Sequence, residues 1–497
     1  MATKESAVPP AQQFPLHWVD GLIREIRPHV FVREIDQLLI LLPNQSYRLN
    51  RTGFRLMQAL LDGQTLDQVL GGREPPPAVR RDLFAFFTGI AAMVKGCLGE
   101  GRDRPEVEAI PYRRPWLALP ILSEVALTYR CNLACRFCYA GPHRDRACAA
   151  AGRGCPPPAT GQGPGVASGE GASGGNGNGA AAAAASGGLA VAGAPSREMS
   201  TAEVERVLRI IRQEAQVPSV SFTGGEPTLR DDLPHLVRVA ADLGLRVNLI
   251  SNGVALTTER VARLAAAGLD SAQISLEGPD AETHERLTGV PGSFAATTAA
   301  VQALVAAGVP VHTNTTLTGL NVEAAVRMPA LVKRLGLDRF SMNMVIPAAW
   351  MREAEPALLL TYREIGARVL AVRDAARAAG VRFMWYSPTP YCLFNPIAHN
   401  LGNKGCAACD GLLSVDPAGR VIPCSSYFEP QGSLLEMPFQ AIWQAPSAVR
   451  LREKRAAPAR CREGCPTFDL CEGACPLYWQ AMGEDELRKK EGDGCLR

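Results

Sequence analysis

The chain has no excess of either charge: 52 Lys and Arg stand against 49 Asp and Glu over 497 residues. That balance gives no electrostatic case for a nucleic-acid partner or an anionic membrane surface. The opening residues Met1-Ala2-Thr3-Lys4-Glu5-Ser6 lack the charged-then-apolar pattern of a secretory signal. No apolar run reaches membrane-spanning length, and the Ala-rich stretch near 181–185 is short and Gly-flanked. These absences set the expectation of a cytoplasmic protein with no membrane partner. Apolar content, at 47%, is that of an ordinary globular protein. The length suits roughly two to four domains.

Cysteine, by contrast, is plentiful. Fifteen of them in a chain expected in a reducing compartment point to metal rather than disulfides. They are also clustered: three at Cys131, Cys135 and Cys138, and nine between Cys392 and Cys495. The first group, Cys131-Asn132-Leu133-Ala134-Cys135-Arg136-Phe137-Cys138, directly follows a strand-like run, Glu124 to Thr128. Three thiolates this close can hold three irons of a [4Fe–4S] cube and leave the fourth iron open to a ligand. A zinc knuckle would favour paired C-x-x-C units and a fourth Cys or His nearby.

The C-x-x-x-C-x-aromatic-C pattern, with Phe137 as the aromatic, resembles the hallmark of the radical S-adenosylmethionine (AdoMet, SAM) superfamily. The resemblance implies that the open iron chelates AdoMet, and that one-electron reduction yields a 5′-deoxyadenosyl radical. It also implies a flavodoxin- or ferredoxin-type reductant.

From Ser200 onwards strands and helices alternate. Ser200 and Glu203 form a capping box at the first helix. Strand-like runs are Val220–Phe222, Val247–Ile250, Ala272–Leu276, Val311–Thr315 and Phe340–Asn343, with amphipathic helices near 230–243, 258–267, 294–308, 322–336 and 359–379. With the strand before Cys131 this makes six β/α units, hence a parallel sheet with right-handed crossovers. The fold class is α/β, and six units fit the family's open (β/α)6 partial barrel. Ligand-binding loops then belong at the C-terminal ends of the strands.

Those ends carry polar motifs. Thr223-Gly224-Gly225-Glu226-Pro227 follows the second strand. Its glycines allow close backbone approach, and it resembles the family's G-G-E-P element, which receives the AdoMet amino group. The third strand ends in Ser251-Asn252-Gly253; the fourth gives Ser275-Leu276-Glu277-Gly278-Pro279, then His284-Glu285-Arg286. The resemblance implies that Ser251, Asn252, Ser275 and Arg286 hydrogen-bond the ribose or the methionine carboxylate. A surface position for Arg286 stays open. Glu277 stands where the family more often has Asp, keeping the charge on a longer arm. Asn314 faces the barrel interior, as a ligand contact or as a satisfied buried amide. His312 and His399 carry no assigned role.

Three strands and three helices over 28–98 resemble the winged-helix-like PqqD-type chaperone fold, the RiPP recognition element. The nearest match runs from Leu49-Asn50-Arg51-Thr52-Gly53 to Leu61-Asp62-Gly63. That family adds a precursor's leader peptide as an extra strand; a packing or dimerisation unit of the same shape is the other reading. Residues 1–27 are expected to form a flexible lead-in and 99–116 a linker. Residues 117–390 would form the core, interrupted by a Gly/Ala-rich insert over 141–198 that is expected to be disordered.

Residues 391–497 resemble the SPASM extension, whose pattern places two further clusters. Cys409, Gly419 and Cys424 match its first half, and Cys461-x₃-Cys465-x₅-Cys471-x₃-Cys475 and Cys495 its second. One departure is the x₃ between Cys461 and Cys465, where the family has x₂. The resemblance implies one closed [4Fe–4S] cluster on Cys406, Cys409, Cys424 and Cys475, and another on Cys461, Cys465, Cys471 and Cys495. Cys392 could replace Cys406, and structural zinc ribbons could use the same thiolates. Cys97, Cys148 and Cys155 have no role.

Together these features predict a radical SAM/SPASM peptide maturase that crosslinks or oxidises a residue of a ribosomally made precursor peptide or protein. The alternatives are a radical SAM enzyme of haem, tetrapyrrole or other cofactor synthesis, and, in another class, an iron–sulfur electron carrier or peptide chaperone.

Overall fold

The computed structural model describes residues 14–43, 45–94, 117–140, 197–347, 351–352 and 355–488. The linker, almost all of the Gly/Ala-rich insert, and Cys97, Cys148, Cys155 and Cys495 lie outside the described residues.

The N-terminal unit opens with helix α1 (Val19–Ile26). Val19, Leu22, Ile23 and Ile26 recur at helical spacing and are buried. This corrects the expected flexible lead-in over 1–27 at residues 19–26; residues 1–13 lie outside the described residues. Asp20 on α1 accepts from the Leu66 N–H at 2.9 Å and so caps a later helix. Strands β1 (Val30–Arg33), β2 (Leu38–Leu41) and β3 (Gln45–Arg48) form an antiparallel sheet in that order. Helices α2 (Arg51–Leu61), α3 (Leu66–Val69) and α4 (Pro77–Val94) follow. Asn50 caps α2 through the Gly53 N–H at 2.7 Å. The central β2 is wholly buried, whereas Gln45, Ser46 and Arg48 on β3 are exposed.

The main sheet has ten strands. Seven consecutive parallel strands form the barrel: β4 (Leu122–Thr128), β5 (Ser219–Gly224), β6 (Arg246–Ser251), β7 (Ser271–Ser275), β8 (Val311–Leu317), β9 (Arg339–Met344) and β10 (Arg382–Trp385). Between them lie α5 (Thr201–Gln213), α6 (Leu233–Asp242), α7 (Thr258–Ala267), α8 (Ala281–Thr288), α9 (Ser293–Ala306), α10 (Met328–Arg334) and α11 (Tyr362–Ala379). Six β/α units are present as read from the sequence; β10 is a further strand that α11 delivers to the sheet edge. On β8 burial alternates residue by residue, with Val311, Thr313, Thr315 and Leu317 buried and His312, Asn314 and Thr316 partly exposed. The buried set packs under the helices and the other set lines the open inner face.

The cysteine-rich tail is no separate lobe. Strand β11 (Leu412–Val415) pairs in parallel with β4, and β12 (Arg420–Ile422) and β13 (Gly432–Ser433) extend the same sheet. Five short helices close the tail: α12 (Phe439–Trp443), α13 (Pro446–Arg452), α14 (Ala459–Gly464), α15 (Phe468–Cys471) and α16 (Pro476–Met482). No single helix among the described residues is long and apolar enough to cross a membrane.

Arg33 locks the N-terminal unit to the barrel. Its buried guanidinium pairs with Asp36 at 2.8 Å and donates to the carbonyls of Pro120 (2.6 Å) and Leu119 (3.0 Å). Leu38, Ile40 and Ile121 form a small core beside it. Arg33→Ala leaves the Asp36 carboxylate buried without its partner, a loss of about 3–5 kcal/mol. The expected readouts are a lower urea midpoint and release of the N-terminal unit by limited proteolysis; unchanged proteolysis would show that the two parts hold together without this arginine.

Candidate active site

The loop after β4 carries Cys131, Cys135 and Cys138, all partly buried. Its backbone is held by the last turn of α8: the Ala134 N–H donates to the Thr288 carbonyl and the Arg136 N–H to the Leu287 carbonyl, both at 2.9 Å. Leu133 and Ala134 fill the space beneath. The Leu133 N–H (3.4 Å) and the Asn252 amide (3.7 Å) approach the Cys131 sulfur. Hydrogen bonds to sulfur are one means by which a protein tunes an iron–sulfur group. Arg136, beside Phe137 in the same loop, pairs with Glu355 at 3.0 Å.

Gly224, Gly225, Glu226 and Pro227 pack directly on this loop. The Gly225 N–H donates to the Thr128 carbonyl at 2.7 Å, and the Glu226 N–H to the Arg130 carbonyl at 2.9 Å. Gly224 has φ +142°, and a Cβ there would sit 2.2 Å from the Thr128 oxygen. A Cβ on Gly225 would lie 2.4 Å from the Arg130 oxygen and 2.6 Å from that of Tyr129. Only glycine fits between these two chain segments.

Glu226 is fully buried, and its carboxylate is already in use. It accepts from the Ser251 hydroxyl at 2.9 Å, the Asn252 N–H at 2.8 Å and the Thr228 N–H at 3.0 Å. Burial pushes its pKa up against these bonds. The side chain therefore ties the ends of β5 and β6 together. The Asn252 side chain in turn donates to Asn132 at 2.8 Å, so Ser251 and Asn252 reach the cysteine loop through Glu226.

The end of β7 differs from the sequence reading. Glu277 does not keep its charge: burial raises its pKa to about 8, with the Thr316 N–H donating to it at 2.8 Å. His284 Nδ1 accepts from the Glu277 N–H at 3.0 Å, and burial lowers the ring pKa to about 4. The imidazole is neutral, with its proton on Nε2. Arg286 is not brought to the cysteine loop. It is exposed on α8, and its guanidinium donates to the Leu320 carbonyl. Ser275 ends β7, paired in register with Asn314. The Asn314 amide is satisfied by Asn343 at 2.7 Å and Ser341 at 2.8 Å. His312 bonds Gln273 at 3.2 Å, and burial holds its pKa near 4. His399 stacks on Phe394 with ring centres 5.5 Å apart.

Several contacts have no sequence signal. Glu198 accepts from the Thr128 hydroxyl and pairs with Arg130 at 3.1 Å, bracing the loop from across the insert. The Tyr139 hydroxyl donates to the Gly224 carbonyl at 3.1 Å. Tyr129 and Tyr139 meet the Phe428 ring at 5.9 and 6.2 Å, which joins the cysteine loop to the tail just after Cys424.

The tail thiols fall into two groups. Burial and the Cys406 thiol beside them raise Cys409 and Cys475 to about 12, and burial with Cys406 and Cys475 raises Cys424. Burial and its neighbours Cys471, Cys392 and Cys465 push Cys461 up to about 12. Between Cys471 and Cys475 the backbone takes three successive left-handed residues, Glu472 (φ +61°), Gly473 (φ +73°) and Ala474 (φ +65°). That turn sends the two cysteines to different groups. Lys454 holds it in place, pairing with Glu472 at 3.1 Å and Asp410 at 2.8 Å and donating to the Cys406 carbonyl.

These donors fit iron–sulfur clusters. Among the described residues no three His, Cys, Asp or Glu side chains converge closely enough to ligate one metal ion. A zinc site draws its sulfurs to about 2.3 Å around one centre. A cube instead takes one thiolate on each iron, and both tail groups and the loop after β4 offer thiols in clusters.

Two predictions follow from this geometry. Gly225→Ala forces the turn and the cysteine loop apart at a cost of about 1–3 kcal/mol. Reconstituted iron should fall by about four per chain, one cube's worth, with loss of AdoMet binding; full iron with intact binding would show that the contact is dispensable. The folded pKa of Glu277 lies above its unfolded one, so the folded state loses stability as pH rises from about 4.5 towards 8. Glu277→Gln removes that loss. Its urea midpoint should exceed that of the unsubstituted protein by an amount worth about 3–4 kcal/mol at pH 8, and the gap should close towards pH 5.

Comparison with known proteins accords with this site. A profile of the Radical SAM superfamily matches residues 125–335, and one of the SPASM iron-sulfur cluster-binding domain matches residues 406–466. A PqqA peptide cyclase of Xanthomonas euvesicatoria pv. vesicatoria is 30% identical over 58% of this chain and 77% of its own length. An AdoMet-dependent heme synthase of Methanosarcina barkeri is 27% identical over 60% of this chain and 88% of its own. The crystal structure of Streptococcus suis SuiB bound to precursor peptide SuiA shares the fold, with TM-score 0.59 and 15% identity over 90% of this chain and 95% of that one. The chain belongs to the radical SAM superfamily and is an iron–sulfur, AdoMet-dependent enzyme with a SPASM extension.

Proposed function

We propose that this enzyme modifies a residue of a ribosomally made peptide or protein, by crosslinking or oxidation, and captures that substrate through its N-terminal unit. The observation that carries the reading is the free edge of β3 on a unit anchored to the barrel. The Leu49 N–H donates to the Gln37 carbonyl at 2.9 Å, which makes Gln37–Leu49 a hydrogen-bonded pair. Alternation then places the backbone N–H and C=O of Ser46 and Arg48 on the outer edge. An extended peptide can add there as a fourth strand. The names of the relatives agree with a peptide substrate: one is a PqqA peptide cyclase, and SuiB was solved with its precursor peptide.

When bound, the cluster and AdoMet supply the electron and the 5′-deoxyadenosyl radical that takes hydrogen from the substrate. We assign Cys131, Cys135 and Cys138 to that cluster. Gly224, Gly225, Glu226, Pro227, Ser251, Asn252 and Ser275 form the AdoMet-side wall, in which Glu226 acts as a brace. The barrel's inner face is polar: Asn248 bonds Ser221 (3.2 Å) and Ser271 (2.9 Å), His312 bonds Gln273, and Asn314 bonds Asn343. Such a lining suits a peptide segment better than a flat apolar macrocycle. His312, held neutral, can accept a hydrogen bond without adding charge.

Alanine at Cys131, Cys135 and Cys138 together should abolish 5′-deoxyadenosine formation; persistent cleavage would sink the assignment. Ser46→Pro removes one outward N–H without touching the β2–β3 ladder. Fluorescence anisotropy with a labelled synthetic copy of a short precursor encoded beside the gene should show binding weakened at least about tenfold, a loss of at least about 1.4 kcal/mol, with peptide-free AdoMet cleavage retained. Unchanged peptide affinity, or tight porphyrin binding in its place, would overturn the reading.

A further inference from the structure

A loop held on both sides sets Lys404 against the inner face of the barrel. Before it, Asn403 accepts from the Tyr391 hydroxyl at 2.5 Å and donates from its amide to the Leu470 carbonyl at 3.4 Å. After it, Gly405 lies against the Glu472 carboxylate, where a Cβ would come within 2.4 Å of an oxygen, and the Cys406 carbonyl accepts from Lys454. Between these anchors the Lys404 ammonium stands 4.9 Å from the centre of the Tyr386 ring.

Tyr386 prolongs β10, its N–H donating to the Met342 carbonyl at 2.9 Å. The register pairs Met384 with Ser341 and Trp385 with Met342, which brings Tyr386 beside Asn343. Trp385 and Met342 are fully buried on the helix-covered side, so by alternation Met384 and Tyr386 belong to the inner face. The Tyr386 hydroxyl meets the Met384 sulfur there at 3.6 Å. The uncharged run Ser341, Asn314 and Asn343 lies on the same face, linked at 2.8 and 2.7 Å. Among the barrel strands β10 is the farthest in sheet order from β4, which leads into the first three cysteines. Lys404 therefore puts a positive charge at the ligand end of the barrel, on the side away from the cysteine loop.

That charge is half-buried, and among the described residues no carboxylate or carbonyl takes it. Two other cations lie over aromatic rings, and both have further partners. Arg212, over Phe31, donates to the Leu243 carbonyl; Arg452, over Trp443, donates to the carbonyls of Cys409 and Trp443. A partly buried ammonium gains most from an anion brought to it, because the two charges meet away from bulk water.

We propose that Lys404 receives a carboxylate of the substrate peptide, beside the Tyr386 ring and the Asn343 amide, and so selects for an acidic group near the residue that is modified. The inference rests on the peptide reading above and names the chemistry which that substrate must carry. The carboxylate comes from an Asp or Glu side chain or from the end of the peptide.

Lys404→Met keeps an unbranched apolar stem over the Tyr386 ring and removes the charge. The reconstituted enzyme is given the synthetic precursor encoded beside the gene, and product is followed by mass spectrometry. Lys404→Met should raise KM at least about tenfold, as for loss of a charge-assisted hydrogen bond, with kcat moved far less. Lys404→Arg should recover most of that loss. Iron retained at about twelve per chain shows that each variant has folded and loaded its clusters. Peptides with single Asp→Asn or Glu→Gln changes, and one with a C-terminal amide, identify the carboxylate. One of them should raise the KM of the wild-type enzyme by a similar factor and leave that of Lys404→Met unmoved. An unchanged KM in Lys404→Met overturns the proposal, as do additive losses with every peptide. A shifted auxiliary-cluster potential with KM unchanged would assign the ammonium to the cluster instead. A wild-type enzyme that cleaves AdoMet but neither binds nor converts the peptide would overturn the peptide reading itself.

Discussion

Two glycines set against three carbonyl oxygens fix the geometry on which the rest of the active end depends. Gly224 and Gly225 approach Thr128, Tyr129 and Arg130 more closely than any side chain would allow. The cysteine loop and the β5 turn therefore form one body. Glu226 then binds that body to β6, and the last-turn carbonyls of α8 hold the loop from the other side. The site is assembled from backbone contacts, and side chains brace it.

Burial works against charge on several of these braces. Glu226 and Glu277 have raised pKa values, and His284 and His312 have lowered ones, all because burial disfavours the charged form. The fixed charges on the cysteine loop, Arg130 and Arg136, are each offset by a carboxylate, so that bound charge, such as that of a cluster or a sulfonium, would be the main unpaired charge there. The charged braces are paired: Arg33 with Asp36, Arg130 with Glu198, Arg136 with Glu355 and Lys454 with Asp410. Arg33 acts at the seam where the N-terminal unit meets the barrel, and Lys454 acts within the tail, on Asp410, Glu472 and the Cys406 carbonyl.

Much of this was legible in the sequence. The cysteine spacing, the G-G-E-P turn and the alternating strands all lie in short windows, where local chemistry fixes local shape. The six β/α units were readable because each strand and helix has its own periodicity. Helix α1 was readable too, from Val19, Leu22, Ile23 and Ile26, but a proline-containing flank masked it. What stayed hidden depends on contacts distant in the chain. Glu198 meets Thr128 and Arg130 across the insert, and Glu355 meets Arg136 over more than 200 positions. No spacing rule reports such pairs. Arg286 was misplaced for the converse reason: a motif gives its position on α8 but not the direction of its side chain.

The pairing of β11 with β4 has a kinetic consequence. Cys424 follows β12 and the Cys131 loop follows β4, two strands of one hydrogen-bonded sheet with β11 between them, and Phe428 meets Tyr129 and Tyr139 across the gap. Their separation is set as in a solid lattice and not by the swing of a hinged arm. Charge passing between the two regions would cross a fixed gap, so its rate should follow driving force and temperature and ignore solvent viscosity.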